Sequence, residues 1–146
     1  MAVRSKVFRY AVSLDADGAM HADGAGAVTL LEGWTPDHMV LAAATWCSLN
    51  SLRHHAGRVG IAVAGEGEAR GIVSRREDDG RFAIAAVDID LFVRLDPVPS
   101  PELLRELLDK AERDCFVGAS LRAQPRYRWT VGGAGVAPLQ PVESAA

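Results

Sequence analysis

The sequence predicts a small α+β domain with a helix at its centre. Three observations support this class: short alternating strands open the chain, a helix that is apolar on nearly every side follows, and a long strand pair precedes a second helix. One domain is expected over residues 1–131. Residues 132–146, in which Gly, Ala and Pro dominate without periodicity, are expected to form a disordered tail.

The opening segment predicts a three-stranded antiparallel meander. Apolar and polar side chains alternate over residues 6–14, which is typical of a half-buried strand. Turn-forming Asp and Gly residues at 15–18 and 23–24 separate this strand from two shorter ones, residues 19–22 and 26–31.

The first helix has the clearest start signal in the chain. Thr35 can cap it with its hydroxyl, and Pro36 suits its first turn. The helix is expected to end near Ala56, with Gly57 in the left-handed conformation. Because residues 39–49 are apolar or small around nearly the whole circumference, this helix should be central.

The second half of the chain predicts a strand pair, an amphipathic helix and a last strand. Glycines interrupt the first strand of the pair and predict a bend or bulge there. A stripe of leucines on the helix predicts packing by a single face. The expected elements are strands over residues 59–76 (interrupted by Gly65, Gly67 and Gly71), 82–95 and 126–131, and a helix that starts at Ser100 and reaches Cys115 with a break nearby.

Composition and motifs exclude several function classes. A net charge of −3 argues against a general nucleic-acid binder, which needs a basic surface. No apolar run approaches the roughly 20 residues that span a bilayer, and no basic-plus-apolar leader opens the chain, so a cytoplasmic protein is expected. Neither a metal nor a cofactor is expected, because His54 and His55 are adjacent and project in different directions, and no other group has metal-ligand spacing.

Cys47 and Cys115 are the two cysteines of the chain. Two cysteines without an export signal do not indicate a disulfide framework, because cytosolic reductants keep thiols reduced. Both are therefore either small buried hydrophobic residues or reactive groups.

Two sequence motifs resemble the OsmC/Ohr family. Residues 35–48 (TPDHMVLAAATWCS) resemble the family's helix, in which a Thr, a Pro, an acidic residue and an alanine-rich turn precede a reactive cysteine. Residues 111–115 (AERDC) look like the segment of its second cysteine. The separation of 68 positions (115 minus 47) and the order of elements are also similar. The resemblance covers roughly residues 6–131.

The resemblance implies an intertwined homodimer in which antiparallel sheets wrap around the central Cys-bearing helices. It also implies a peroxidase reaction with a small organic hydroperoxide and a dithiol reductant. Cys47 would attack the hydroperoxide and become a sulfenic acid, and Cys115 would resolve it to a disulfide. Asp37 stands where the family has the carboxylate that orients a catalytic arginine.

Asp37 has two interpretations. As a residue of the first helical turn it stabilises the helix dipole, which explains its presence without any catalytic role. If it serves the same site as Cys47, ten positions away and about 15 Å along the helix axis, it must come from the neighbouring subunit. Both interpretations stay open at this point.

The chain also departs from the peroxidase pattern. No arginine occurs between Arg9 and Arg53, whereas peroxidase members carry one in the N-terminal strands or before the first helix; His21 is a basic alternative only when protonated. Phe116 follows Cys115 where those members often have proline. Two hypotheses follow: a thiol-dependent peroxidase of oxidative-stress defence, or a non-peroxidase OsmC-like protein that binds a small apolar or thiol-reactive ligand at the dimer interface.

Overall fold

The computed structural model describes residues 6–30, 32–132 and 142–143, and the chain divides into two compact units. The first unit is Met1–Thr35 and the second is Pro36–Ala146. The α+β class is confirmed: the described residues form three helices and seven strands. The single domain expected over residues 1–131 stays a prediction.

The first unit is the predicted three-stranded meander. Strand β1 (Val12–Leu14) pairs antiparallel with β2 (Ala19–Ala22), which pairs antiparallel with β3 (Gly26–Thr29). The first strand is shorter than the predicted residues 6–14. The ladder covers Val12–Leu14 because β2 is four residues long and pairs with them in register from Ala22 to Met20; one more backbone hydrogen bond, from the Asp23 N–H to the Ala11 carbonyl oxygen at 3.1 Å, precedes it.

The second unit begins with helix α1 (Pro36–Gly57), which has the predicted length. One face packs against strand β4 (Ala62–Arg75), while the opposite face stays exposed in the single chain. The prediction for Gly57 is wrong. The left-handed glycine after α1 is Gly60, with φ of 78°, and the turn is closed by a hydrogen bond from the Ile61 N–H to the Ala56 carbonyl oxygen at 2.9 Å.

Strands β4 and β5 (Phe82–Asp96) form a long antiparallel hairpin. The predicted irregularity occurs at one point, a register shift between Ile72 and Val73. The interrupting glycines themselves pair in regular register and have a different role, which is close packing against α1.

Helix α2 (Pro101–Arg113) begins where predicted, since the Ser100 hydroxyl accepts a hydrogen bond from the Leu103 N–H at 3.2 Å. A second, short helix α3 (Phe116–Ser120) follows the break near Cys115. The chain then enters strand β6 (Arg126–Gly132), which pairs with β5 in parallel, so the sheet is mixed rather than antiparallel throughout. The physical reason is the connection: a path through two helices can return the chain to the same end of the sheet.

Part of the expected tail is ordered against the sheet. Strand β7 (Val142–Glu143) pairs antiparallel with β6 and gives the strand order β4-β5-β6-β7. The rest of the tail expected to be disordered, residues 133–141 and 144–146, lies outside the described residues.

The core of the second unit lies between this sheet and the helices. Its fully buried members come from α1, α2 and the inward face of β5 and β6. Among the described helices, none has the length and apolar character needed to cross a membrane. The largest fully buried apolar side chains are Trp129, Leu52, Ile89, Leu91, Leu95, Leu108 and Val87.

Candidate active site

Cys47 lies on the border between two faces of α1. The buried face packs on the sheet and on α2 through Ala44, Ser48 and Leu52. The exposed face carries Ala42, Trp46 and Asn50, spaced four residues apart, which we call the outer stripe. Cys47 is half-buried between these faces.

Cys115 lies beneath it, fully buried between α2 and α3. It caps α3, with its sulfur accepting a hydrogen bond from the Gly118 N–H at 3.4 Å. Helix α2 ends one residue earlier, at the cap Asp114, and this change of direction points the Cys115 side chain into the core.

The chain brings the two cysteines together, both as free thiols. The Cys115 thiol is near enough to Cys47 to raise its pKa, and the backbone N–H groups of Val117 and Phe116 are near enough to lower it. A half-buried thiol thus lies near a fully buried one. Disulfide formation between them requires their alpha carbons to come within about 7 Å.

The pKa of Cys47 is raised above its ordinary value, chiefly by burial. The Cys115 thiol raises that pKa further, whereas the N–H groups of Val117 and Phe116 lower it. No cation is among the described groups that shift this pKa most. These groups therefore favour the neutral thiol of Cys47 over the thiolate.

Asp37 does not reach Cys47 within one chain. It is exposed in the first turn of α1, and the helix runs through both residues without a break. Ten residues of helix separate them by about 15 Å along the axis. A site shared by Asp37 and Cys47 therefore needs a second chain, as the spacing in the sequence predicts.

The other basic groups considered from the sequence have local partners. In the first unit, His21 Nε2 lies 2.8 Å from Asp15 Oδ2, and both side chains are exposed. In the second unit, His55 Nε2 lies 2.8 Å from Asp114 Oδ2, and the Arg53 guanidinium donates to the Val63 carbonyl oxygen at 3.4 Å. The described residues contain no group of His, Cys, Asp and Glu side chains that could hold a metal.

The structure adds residues that sequence reasoning missed. The Ser48 hydroxyl and the Tyr127 hydroxyl both lie at Cys115, and Gly118 leaves room for them. Ser48 gave no signal, because it follows Cys47 in a run of small residues. Tyr127 gave a weak one: a tyrosine on the apolar face of the last strand needs a buried partner for its hydroxyl.

One known protein family and several solved structures are similar to this chain. The family described as "OsmC-like protein" matches residues 26–130, which include α1, both cysteines and most of β6. Among curated proteins, no sequence relative matches the chain.

Three solved structures illustrate the shared fold. The OsmC-like protein of Mycoplasma pneumoniae is 18% identical with a TM-score of 0.63, and the match covers 89% of this chain and 99% of that one. The organic hydroperoxide resistance protein OhrB of Bacillus subtilis is 20% identical with a TM-score of 0.54, covering 86% and 98%. A putative organic hydroperoxide resistance protein of Vibrio cholerae, with captopril bound in one of its active sites, is 17% identical with a TM-score of 0.58, covering 92% and 96%. At these identities the structures establish the fold alone, but the family match extends over most of the chain, and the protein therefore belongs to the OsmC-like protein family.

Proposed function

We propose that the protein is a thiol-dependent peroxidase that reduces organic hydroperoxides in the cytoplasm. The observation that carries the proposal is the proximity of a half-buried Cys47 to a fully buried Cys115, whose thiol raises the pKa of Cys47. A reactive thiol with a protected partner can be oxidised and then resolved before further oxidation reaches it.

The reaction has three steps. The Cys47 thiolate attacks a hydroperoxide oxygen, the O–O bond breaks, and the products are the Cys47 sulfenic acid and an alcohol. Cys115 then displaces the sulfenic hydroxyl, which leaves as water, and a Cys47–Cys115 disulfide forms. A dithiol reduces this disulfide by thiol–disulfide exchange and restores both thiols.

We propose further that the active species is a homodimer, with a second copy of the chain on the outer stripe of α1. Trp46 is 68% exposed there, beside the half-buried Cys47. Antiparallel packing of two α1 helices would cover this indole. It would also bring Asp37 of one chain toward Cys47 of the other, which accounts for the separation of about 15 Å within one helix.

The solved relatives support a peroxide or thiol ligand. Two of them are named as organic hydroperoxide resistance proteins. The Vibrio cholerae protein holds captopril, itself a thiol compound, in one of its active sites. A small thiol at the equivalent position of this chain would be in place to reduce the disulfide.

One observation favours the second candidate, a binding protein without peroxidase activity. Burial raises the pKa of Cys47, and no cation is among the largest influences that oppose it. A thiol in this state is a weak nucleophile at neutral pH. The same half-buried position would still hold a small apolar or thiol-reactive ligand.

Turnover of cumene hydroperoxide with a dithiol reductant, measured against pH, separates the two candidates. We expect weak activity at neutral pH that rises between about pH 7 and about pH 9, because the thiolate fraction of a thiol with a raised pKa increases with pH over that range. Cys47→Ser should abolish the activity. Cys115→Ser should retain the first oxidation and accumulate Cys47 sulfinic acid. If the wild type is no faster than Cys47→Ser at every pH, the peroxidase proposal is wrong and the binding protein takes its place.

A further inference from the structure

The buried thiol of Cys115 belongs to a small polar cluster that the reaction described above leaves unexplained. Ser48 Oγ lies 3.4 Å from Cys115 Sγ and 3.3 Å from Tyr127 Oη. Ser48 and Cys115 are 0% exposed and Tyr127 is 5% exposed. Polar groups without access to water must satisfy one another, so their mutual positions are constrained.

The space around the cluster is full. A Cβ atom at Gly118 would lie 2.7 Å from Tyr127 Oη and 3.3 Å from Cys115 Sγ. Both distances are shorter than ordinary van der Waals contacts, so glycine is required for the hydroxyl and the thiol to share this volume. The cluster therefore holds the sulfur in one place rather than in a loose cavity.

The number of available hydrogens limits which groups of the cluster can donate hydrogen bonds. Ser48 has one hydroxyl hydrogen, and its shortest contact is the Ala44 carbonyl oxygen at 2.7 Å, which can only accept. The contact between Ser48 and Tyr127 joins two hydroxyls, either of which can donate. With the Ser48 hydrogen on Ala44, Ser48 Oγ can accept from the Tyr127 O–H or the Cys115 S–H, and the S–H can alternatively donate to the Ala44 carbonyl oxygen, which lies 4.0 Å from Cys115 Sγ.

The same hydroxyl suits Cys115 after its proton has left. Rotation about the Ser48 side chain turns its hydrogen from the Ala44 carbonyl to the sulfur, where the Gly118 N–H already donates at 3.4 Å. A Tyr127 O–H that donates to Ser48 Oγ would strengthen the serine as a donor. The cluster can thus accept a hydrogen bond from the Cys115 thiol and donate one to the Cys115 thiolate.

We propose that Ser48 and Tyr127 are positioning residues for the resolving step, an inference that rests on the proposed function. Ser48 holds Cys115 Sγ toward Cys47 and stabilises the attacking thiolate, and Tyr127 holds Ser48. In this step the Cys115 sulfur bonds to the Cys47 sulfur as the S–O bond of the sulfenic acid breaks. The departing hydroxide takes up the proton that Cys115 released and leaves as water.

The test compares the rates of disulfide formation in Ser48→Ala, Tyr127→Phe and the wild type. After one equivalent of cumene hydroperoxide, samples are quenched over time and the Cys47–Cys115 disulfide and Cys47 sulfinic acid are quantified by mass spectrometry. Loss of one hydrogen bond to the sulfur should slow disulfide formation about three- to tenfold in Ser48→Ala. Sulfinic acid should rise accordingly. Tyr127→Phe keeps the aromatic ring and should also slow disulfide formation and raise sulfinic acid, but by less. It is the variant to use if Ser48→Ala does not fold.

Thr45→Val is the matched control. Thr45 Oγ1 donates to the Leu41 carbonyl oxygen at 2.8 Å, the same intrahelical bond one turn earlier, but its side chain packs against β4 rather than Cys115. This variant should resolve at the wild-type rate. A purely structural role for Ser48 would lower the melting temperature in both variants without changing the disulfide-to-sulfinic ratio, and that result would overturn the inference.

Oxidation by diamide tests the positioning role of Ser48 independently of the peroxidase reaction. The Cys47 thiolate adds to the azo group of diamide and forms an S–N bond without a peroxide. Cys115 then attacks the Cys47 sulfur, the S–N bond breaks, the reduced diamide leaves as a hydrazine with the proton, and the same disulfide forms. If hydroperoxide fails to oxidise Cys47, the proposed function fails, and slower disulfide formation in Ser48→Ala under diamide still supports the positioning role. Equal diamide rates in Ser48→Ala, Thr45→Val and the wild type would reject it.

Discussion

Glu112 is an ionisable residue on α2 whose surroundings favour the neutral form. Burial raises its pKa to about 7, the nearby Asp109 carboxylate raises that pKa too, and the Trp129 indole acts in the opposite direction. Among the described residues, neither Glu112 Oε1 nor Trp129 Nε1 has a partner in normal hydrogen-bond geometry, so the opposing attraction is weak. The folded protein therefore holds a proton that the unfolded chain releases near its ordinary value of 4.5.

We predict that Glu112 makes the protein less stable as the pH rises from about 4.5 to about 7. The sign follows from the raised pKa: the contribution to stability is full below the pKa of the unfolded carboxyl and is lost as the pH passes that of the folded one. Because Glu112 is only half-buried and water screens it, the loss should be on the order of 1 kcal/mol. Melting temperatures measured over this range should show a smaller decline in Glu112→Gln.

Glu106→Gln on the same helix is the control for this measurement. Glu106 is exposed, and its hydrogen bond to Lys110 lowers its pKa, so its influence on stability has the opposite direction with pH. A Glu112→Gln profile parallel to the wild type would show that the carboxyl is already ionised in the folded protein.

At the scale of elements, three glycines of β4 decide how closely α1 approaches the sheet. Added Cβ atoms at Gly65, Gly67 and Gly71 would meet Leu49, Thr45 and Leu41, respectively, which succeed one another along α1 at four-residue spacing. The three glycines share one face of β4, on which Ala69 stands between Gly67 and Gly71, so this row of small residues leaves room for the helix. Close packing, rather than the bend expected from the sequence, explains them.

We predict that Gly67→Ala destabilises the protein by about 1–2 kcal/mol, since overpacking outweighs the entropy gained from replacing glycine. Its Cβ would lie 2.8 Å from Leu91 Cδ2, 2.9 Å from Thr45 Cγ2 and 3.0 Å from the Asp90 carbonyl oxygen. Chemical denaturation of both alanine variants checks this, with Gly57→Ala as control, because a Cβ there meets nothing within 4 Å and the backbone φ is not positive. Equal stability of the two variants would contradict the packing argument.

At the scale of the whole molecule, the single chain leaves much apolar surface uncovered. In the first unit, β1 and β3 are exposed along their whole length, including Val12, Leu14 and Val28. In the second unit, the exposed Trp46 and Phe116 belong to the segments that carry the two cysteines. Scattered apolar residues on a surface are ordinary, but Trp46, a large aromatic next to a half-buried thiol, lies on the surface that the proposed dimer would cover.

We predict a homodimer at micromolar concentration in sedimentation experiments. Trp46→Glu should shift the equilibrium toward monomer, because it places a charge in the centre of the expected contact. Phe92→Glu is the matched control: Phe92 is also exposed, at 43%, but lies on the face of β5 away from the helices, alternating with the buried Leu91 and Val93. A stable wild-type monomer, or equal loss of dimer in both variants, would contradict the proposed interface.

The sequence alone determined what depends on neighbours along the chain. Caps, turn residues and periodicity placed α1, the β4–β5 hairpin and the start of α2 at Ser100 nearly where they lie. The motifs around Cys47 and Cys115 are sufficient to indicate the family, and the family match agrees. These signals are local, since each residue acts through its own backbone preference or the residues one turn away.

Only the tertiary structure decided which distant groups meet. The parallel pairing of β6 with β5, the fit of β4 glycines under α1, and the placement of Ser48 and Tyr127 at Cys115 all join residues far apart in the chain. Hydrophobic periodicity predicts which face of an element is buried but not which element packs against it, because one apolar surface can pack on any other apolar surface of suitable shape. The two cysteines could therefore be singled out through the family resemblance, but the hydrogen bonds that hold Cys115 depend on packing between α1, α3 and β6, which no local pattern contains.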